Sequence, residues 1–260
     1  IYLCILIFKK VSLQRLSEIH SATRGHKCGG VLVTLQHALT AAYCTLDFGS
    51  GQMSVSIPIN RDEYRVFAGS VHLNNDTSAD RVRRIANTTA HPDYNAMVNF
   101  YVNNIAVIIV SVLYIYFINL KKPTKCKSRG TQLMHAPMMA PNETLCRALM
   151  GPLLPNLLST NRSRWIFCFY LHTILFFQGD IGGPLIVGGS LAGLIVDTRG
   201  CSTTTAMPHW YVRVSKYSSW IDGVVGLTTP APGAAPALLS GLTLLAGIAV
   251  AQILSASVMN

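Results

Sequence analysis

Short runs of apolar residues, broken every few positions by glycine, asparagine, aspartate and proline, set the rhythm of this chain. Residues 11–14 alternate apolar and polar before a polar stretch over 15–27. Residues 30–33, 55–59, 65–68 and 82–85 follow as β-type runs bounded by turn formers. Further on, 184–187 and 191–196 flank Gly188-Gly189, which predicts a β-hairpin. Residues 214–221 predict a short terminal helix with Trp220 and Ile221 turned inward. Many short strands with one late helix predict an all-β sandwich or barrel.

Three stretches depart from this rhythm. Residues 105–120 and 165–177 are almost continuously apolar, and each reads either as a buried element or as a short membrane pass. Neither reaches the roughly twenty uninterrupted apolar residues that a spanning helix needs. Retained intron sequence is a third reading of both blocks: Val110-Ser111 can be encoded by GTAAGT and Phe176-Phe177-Gln178 by TTTTTTCAG. From about Thr228 the composition changes. Pro230, Pro232, Gly233 and Pro236 make a linker over 224–236, and 237–260 is an apolar tail without charge. Small residues, a spacer and an apolar end match a GPI-attachment signal, with a tail anchor or a packed terminal helix as the other readings. The apolar run 1–8 lacks a basic leader and reads as the end of a signal peptide, a first strand or translated non-coding sequence.

Composition narrows the class. A chain of 260 residues with half its positions hydrophobic buries a large core. The net charge of +10 suits an acidic protein, a glycan or an anionic membrane. The clusters Arg81, Arg83, Arg84 and Lys121, Lys122, Lys125, Lys127 read as solvated faces, and no basic stripe suggests nucleic acid. The seven cysteines show none of the paired short spacings of a zinc site and imply disulfides in an oxidising compartment. Sequons at Asn75, Asn87, Asn142 and Asn161 agree with an extracellular chain, secreted or held at the cell surface. Nothing in the sequence implies a metal or another cofactor.

Four motifs occur in one order. Lys27-Cys28-Gly29-Gly30-Val31-Leu32 leads to Leu39-Thr40-Ala41-Ala42-Tyr43-Cys44. His91-Pro92-Asp93-Tyr94-Asn95 precedes Asn103-Asn104-Ile105-Ala106-Val107, and Gln178-Gly179-Asp180-Ile181-Gly182-Gly183-Pro184-Leu185 comes third. Pro208-His209-Trp210-Tyr211-Val212-Arg213-Val214 through Trp220-Ile221 closes the series. Together they resemble the trypsin-like serine proteases up to about Gly223. The resemblance implies two Greek-key antiparallel β-barrels, the first running to about Leu120 and the second to about Gly223, with a short C-terminal helix. It also implies a disulfide between Cys28 and Cys44.

The same resemblance puts the family's catalytic histidine, aspartate and serine on Tyr43, Asn104 and Ile181. That chemistry needs a nucleophilic hydroxyl, an imidazole base and an orienting carboxylate. Isoleucine has no nucleophile, a phenol is a poor base at neutral pH, and an amide cannot stabilise an imidazolium. The backbone N–H groups of Gly179 and Ile181 remain as an oxyanion hole. The specificity pocket falls on Leu175, Thr198 and His209, whose side chains would fill it. Family members mature by exposing an Ile-Val-Gly-Gly terminus that pairs with the aspartate matching Asp180. That segment does not precede Cys28, so Asp180 is expected unpaired and its loop relaxed. Later family disulfides are broken: Phe177 orphans Cys201, and Cys126 also lacks its mate. Cys146 pairs with Cys168, or loses its partner to Ser159 in another register. The function implied is non-catalytic, a binding or regulatory role towards a protein or peptide such as an active protease or its substrate. Residual hydrolysis, by the old site or a different constellation, is the rival, and a misassembled gene is a third reading.

Overall fold

The computed structural model describes residues 9–21, 24–48, 56–69, 73, 81–97, 101–112, 166–169, 178–197 and 209–226. In chain order the strands are β1 (Lys9–Arg15), β2 (His26–Leu32), β3 (His37–Thr40), β4 (Leu46–Phe48), β5 (Ser56–Pro58), β6 (Tyr64–Ala68), β7 (Val82–Ala90), β8 (Ala106–Val110), β9 (Ile166–Phe169), β10 (Pro184–Val187), β11 (Ser190–Asp197) and β12 (His209–Arg213). A single turn of 3-10 helix over Val214–Lys216 precedes α1 (Ser218–Val225). The expected continuous helix over 214–221 is therefore two pieces. Ile221 is buried, and Trp220 packs half-buried on the same core.

Six antiparallel strands close a barrel in the order β1-β2-β3-β8-β7-β6, with β6 returning onto β1. Closure leaves no unpaired edge. Val11, Leu13, Val31, Leu39, Val66 and Val107 are buried in its core. β4 and β5 form a two-stranded ribbon, and the later strands form a four-stranded sheet in the order β10-β11-β12-β9. The hairpin predicted about Gly188-Gly189 is present, with Val187 opposite Ser190 and both glycines at positive φ.

Two features of the hydrophobic pattern find their cause here. The opening of the 105–120 block is β8, which lies between β3 and β7 and buries Ala106, Val107, Ile108 and Val110. A strand covered on both faces reads as a continuous apolar run, so this part needs no membrane. The 165–177 block opens into β9, whose backbone pairs with β12 from Val212↔Ile166 to His209↔Phe169. Among the described residues no helix is long and apolar enough to cross a membrane. The tail over 237–260 lies outside the described residues.

The arginine cluster is split by strand alternation. Arg84 is exposed, but Arg83 is only 9% exposed and donates from Nη1 to the Val82 carbonyl oxygen, so it is not part of a solvated face. The alternation of β1 also misleads. Ser12 and Gln14 sit at the polar positions and are fully buried. Ser12 is bonded to His26, and Gln14 accepts from Arg65 Nε on Oε1 at 2.8 Å, while Gln14 Nε2 is buried without a partner among the described residues.

A polar cluster ties the ribbon to the barrel. Lys27 Nζ lies 2.7 Å from Asp47 Oδ1, and Tyr64 donates its hydroxyl to the same oxygen at 2.7 Å. Burial draws the Lys27 pKa down despite Asp47. Burial also pushes the Asp47 carboxyl up, but the bonds from Lys27 and Tyr64 outweigh it and hold the pKa below its usual value. The pair thus stabilises the carboxylate and costs the ammonium, close to break-even as partly buried pairs often are.

Candidate functional site

The Thr40–Cys44 segment turns sharply out of β3. Ala42–Thr45 makes one 3-10 turn, closed by Cys44 N–H on the Ala41 carbonyl at 3.0 Å and Thr45 Oγ1 on the Ala42 carbonyl at 2.8 Å. The turn is pinned to β2 by the Cys28–Cys44 disulfide, which links residues 16 apart with both cysteines fully buried. Tyr43 stands partly exposed at the turn and stacks on Phe48 with ring centroids 5.0 Å apart. Burial raises its phenol pKa above the ordinary value, which keeps the hydroxyl protonated at neutral pH.

Asn104 is fully buried and accepts the Tyr43 backbone N–H on Oδ1 at 2.9 Å. It is held by an unusual backbone. Asn103 adopts positive φ, Ile105 N–H bonds the Asn103 carbonyl at 2.8 Å, and Tyr217 donates its hydroxyl to Asn103 Oδ1 at 3.1 Å. Burial, opposed by a hydrogen bond with the Asn103 backbone and deepened by Asp93, raises the Tyr217 pKa to about 12, so the phenol stays a donor. His91 packs its ring 5.2 Å from Tyr217 and 5.1 Å from Trp220, and burial lowers its pKa even with Asp93 nearby.

The third expected position lies on a glycine-rich loop. Gln178–Asp180 form one 3-10 turn, and Gly183 N–H closes on the Asp180 carbonyl at 2.9 Å. Gly29 N–H donates to the Ile181 carbonyl at 2.8 Å, and Gly182 N–H donates to the Ile195 carbonyl at 2.7 Å. Gly182 requires its glycine: φ is +83°, and an added Cβ would fall on Thr40 Oγ1 and the Gly29 carbonyl oxygen. Ile181 is 4% exposed and belongs to the barrel's hydrophobic core. Its carbonyl oxygen lies 3.7 Å from Cys44 Sγ. The fold therefore bonds Tyr43 to Asn104 and brings Ile181 against the residue that follows Tyr43.

Asp180 departs from expectation. It was expected to be unpaired in a relaxed loop; instead its charge acts on Lys10 of β1, on His26 of β2 and on Tyr211 of β12. His26 Nε2 lies 2.8 Å from the Gly179 carbonyl oxygen, which can only accept, so Nε2 carries the proton and Nδ1 accepts from Ser12 Oγ at 2.6 Å. Burial lowers the His26 pKa; the Gly179 bond and Asp180 oppose this, and Lys10 adds to it. The sequence motifs did not single out Lys10, Ser12 or His26. A lysine and a serine on one face of β1, two residues apart, were the available signal.

Other expected positions fall elsewhere. Leu175, Thr198, Cys126, Cys146 and Cys201 lie outside the described residues, as do Asn75, Asn142 and Asn161. His209 and Cys168 are placed as backbone partners in the late sheet, through His209↔Phe169 and Trp210↔Cys168. Asn87 is exposed on β7. Among the described residues no group of His, Cys, Asp or Glu could hold a metal ion.

A closed antiparallel barrel, a second antiparallel sheet, a disulfide-pinned turn and a glycine-rich loop between them define a trypsin-like fold. The chain belongs to the trypsin family: the family model described as Trypsin matches residues 10–129 and 159–221. It is similar to a chymotrypsin-like serine proteinase of Haliotis rufescens, 27% identical over 229 residues, covering 76% of this chain and 80% of that one. Trypsin I-P1 of Gallus gallus is 28% identical over 214 residues, with 75% and 78% covered. Granzyme M of Rattus norvegicus is 27% identical over 237 residues, with 81% and 84% covered.

Proposed function

We propose that this chain is a non-hydrolysing member of the trypsin family that acts outside the cell by binding a protein or peptide. One observation carries the reading: Ile181, which the 179–183 motif sets at the family's nucleophile position, is an aliphatic side chain buried in the main hydrophobic core. Around it, Tyr43 offers a protonated phenol and Asn104 an amide already committed to the Tyr43 backbone. No member of this trio can activate another, since acyl transfer needs a nucleophile and a base within hydrogen-bond reach. The former cleft and the surface loops are then binding surfaces, with an active protease or its substrate as the partner. The buried Cys28–Cys44 disulfide and the exposed Asn87 sequon support an extracellular setting, and the apolar tail supports attachment to the outer surface.

A fluorophosphonate probe tests the reading, because it reports an activated serine without requiring the natural substrate. The native protein is expected to show no labelling and no cleavage of Arg-, Phe- or Ala-directed peptide substrates. Labelling that is lost on heat denaturation would overturn the proposal and establish a hydrolase.

A further inference from the structure

We propose that Lys10 is the internal cation that holds the 178–183 loop in its ordered form, so the loop does not depend on a chain terminus freed by cleavage. Three observations converge on this placement. Lys10 follows the first residue of β1, on the same face as Ser12, and that face is turned toward the loop, because Ser12 bonds His26, which bonds Gly179. The Lys10 side chain reaches the far end of the loop: its Cε lies 3.9 Å from where a Cβ would stand on Gly183, and the Asp180 carbonyl oxygen lies 2.9 Å from that same point. The charged groups facing one another here are Lys10, Asp180 and His26, with the Tyr211 phenol beside Asp180.

Lys10 and Asp180 are both partly buried, and removing the cation would leave the carboxylate uncompensated where water screens it poorly. Lys10 is a positioning residue: it acts on the loop through Asp180. Burial draws its pKa down and Asp180 draws it back up, as expected of an ammonium withdrawn from water beside a carboxylate. The inference rests on family membership and loop geometry, and stands whether or not the chain hydrolyses peptides.

Hydrogen exchange on the intact, disulfide-bonded chain tests it, with a readout independent of activity. In Lys10→Met, amides of 179–183 should lose protection by on the order of a hundredfold, while those of β8 stay unchanged. Lys10→Arg should retain protection within about threefold, since the charge survives on a side chain of similar reach. Asp180→Asn should match Lys10→Met, and the double variant should lose no more than either. Unchanged protection in Lys10→Met, or an Arg variant that behaves like Met, would overturn the proposal. Loss of wild-type loop protection on acetylating the α-amino terminus would also overturn it.

Discussion

Restoring a serine at position 181 should damage the protein before it helps catalysis. Ile181 is 4% exposed and packs in the barrel core, so Ile181→Ser removes a buried aliphatic side chain and inserts a hydroxyl. Truncating a buried isoleucine costs about 2–5 kcal/mol in transfer and cavity terms. A hydroxyl left without a partner adds about 1–3 kcal/mol. The sum, about 3–8 kcal/mol, is a large share of the roughly 5–15 kcal/mol that holds a domain folded. With a urea m-value near 3 kcal/mol per M, the midpoint should fall by roughly 1–2.7 M at constant m. Ile181→Val, which keeps the shape, should cost only about 1 kcal/mol. Urea unfolding followed by tryptophan fluorescence, with the disulfide intact, measures all three proteins. A cost below about 1 kcal/mol for the serine variant would refute the argument that this position is now a core residue. So would fluorophosphonate labelling of that variant, since a lone serine beside Tyr43 has no base.

Four other outcomes follow from the same geometry. Replacing Cys28 and Cys44 together by alanine should cost about 3 kcal/mol, the loop-closure value for residues 16 apart, read as a drop in thermal midpoint. Gly182→Ala should destabilise by more than 2 kcal/mol in urea titration, because positive φ and the clash with the Gly29 carbonyl act together. Stability should fall on acidification. The His26 pKa is lowered on folding, so its contribution is full above the ordinary value of 6.5 and is lost as pH falls through 6.5 towards the folded value; His26→Gln should remove that part of the difference between urea midpoints at pH 7.5 and pH 5. The triple variant Tyr43→His, Asn104→Asp, Ile181→Ser should label with a fluorophosphonate where each single variant does not, because triad members act as a unit.

The barrel was legible because its signals are local. Short runs bounded by turn formers marked β2, β5, β6 and β7, and Gly188-Gly189 placed the β10–β11 hairpin, whose second strand runs one residue further at each end than expected. The trio Tyr43, Asn104 and Ile181 was located by motif order, and the contact between the first two follows from strands that the motifs also mark. What pattern could not tell was burial on both sides of a strand. Alternation in β1 implies one wet face, yet Ser12 and Gln14 are fully buried, and Ser12 is tied through His26 to the loop at Gly179. β8 bears out the buried-element reading of the opening of the 105–120 block, because it lies between β3 and β7. Periodicity reports a strand's own faces and carries no information about what a distant segment lays over them.

The geometry also separates what the fold needs from what hydrolysis needs. The Tyr43 backbone N–H requires an acceptor, and an amide oxygen serves as well as a carboxylate, so Asn104 keeps the turn anchored without supplying charge. The loop needs its glycines and its bonds to β2 and β11, and these run through backbone atoms that are indifferent to the side chain at 181. A buried isoleucine there even adds to the core that the loop closes over. The backbone bonds at Tyr43, Ile181 and Gly182 are made whatever side chain stands at 181. Asn104 is bonded and His26 is bonded at both ring nitrogens, whereas the Tyr94 hydroxyl near Tyr43 and the Gln14 amide nitrogen are buried without a hydrogen-bond partner among the described residues, at about 1–3 kcal/mol for each.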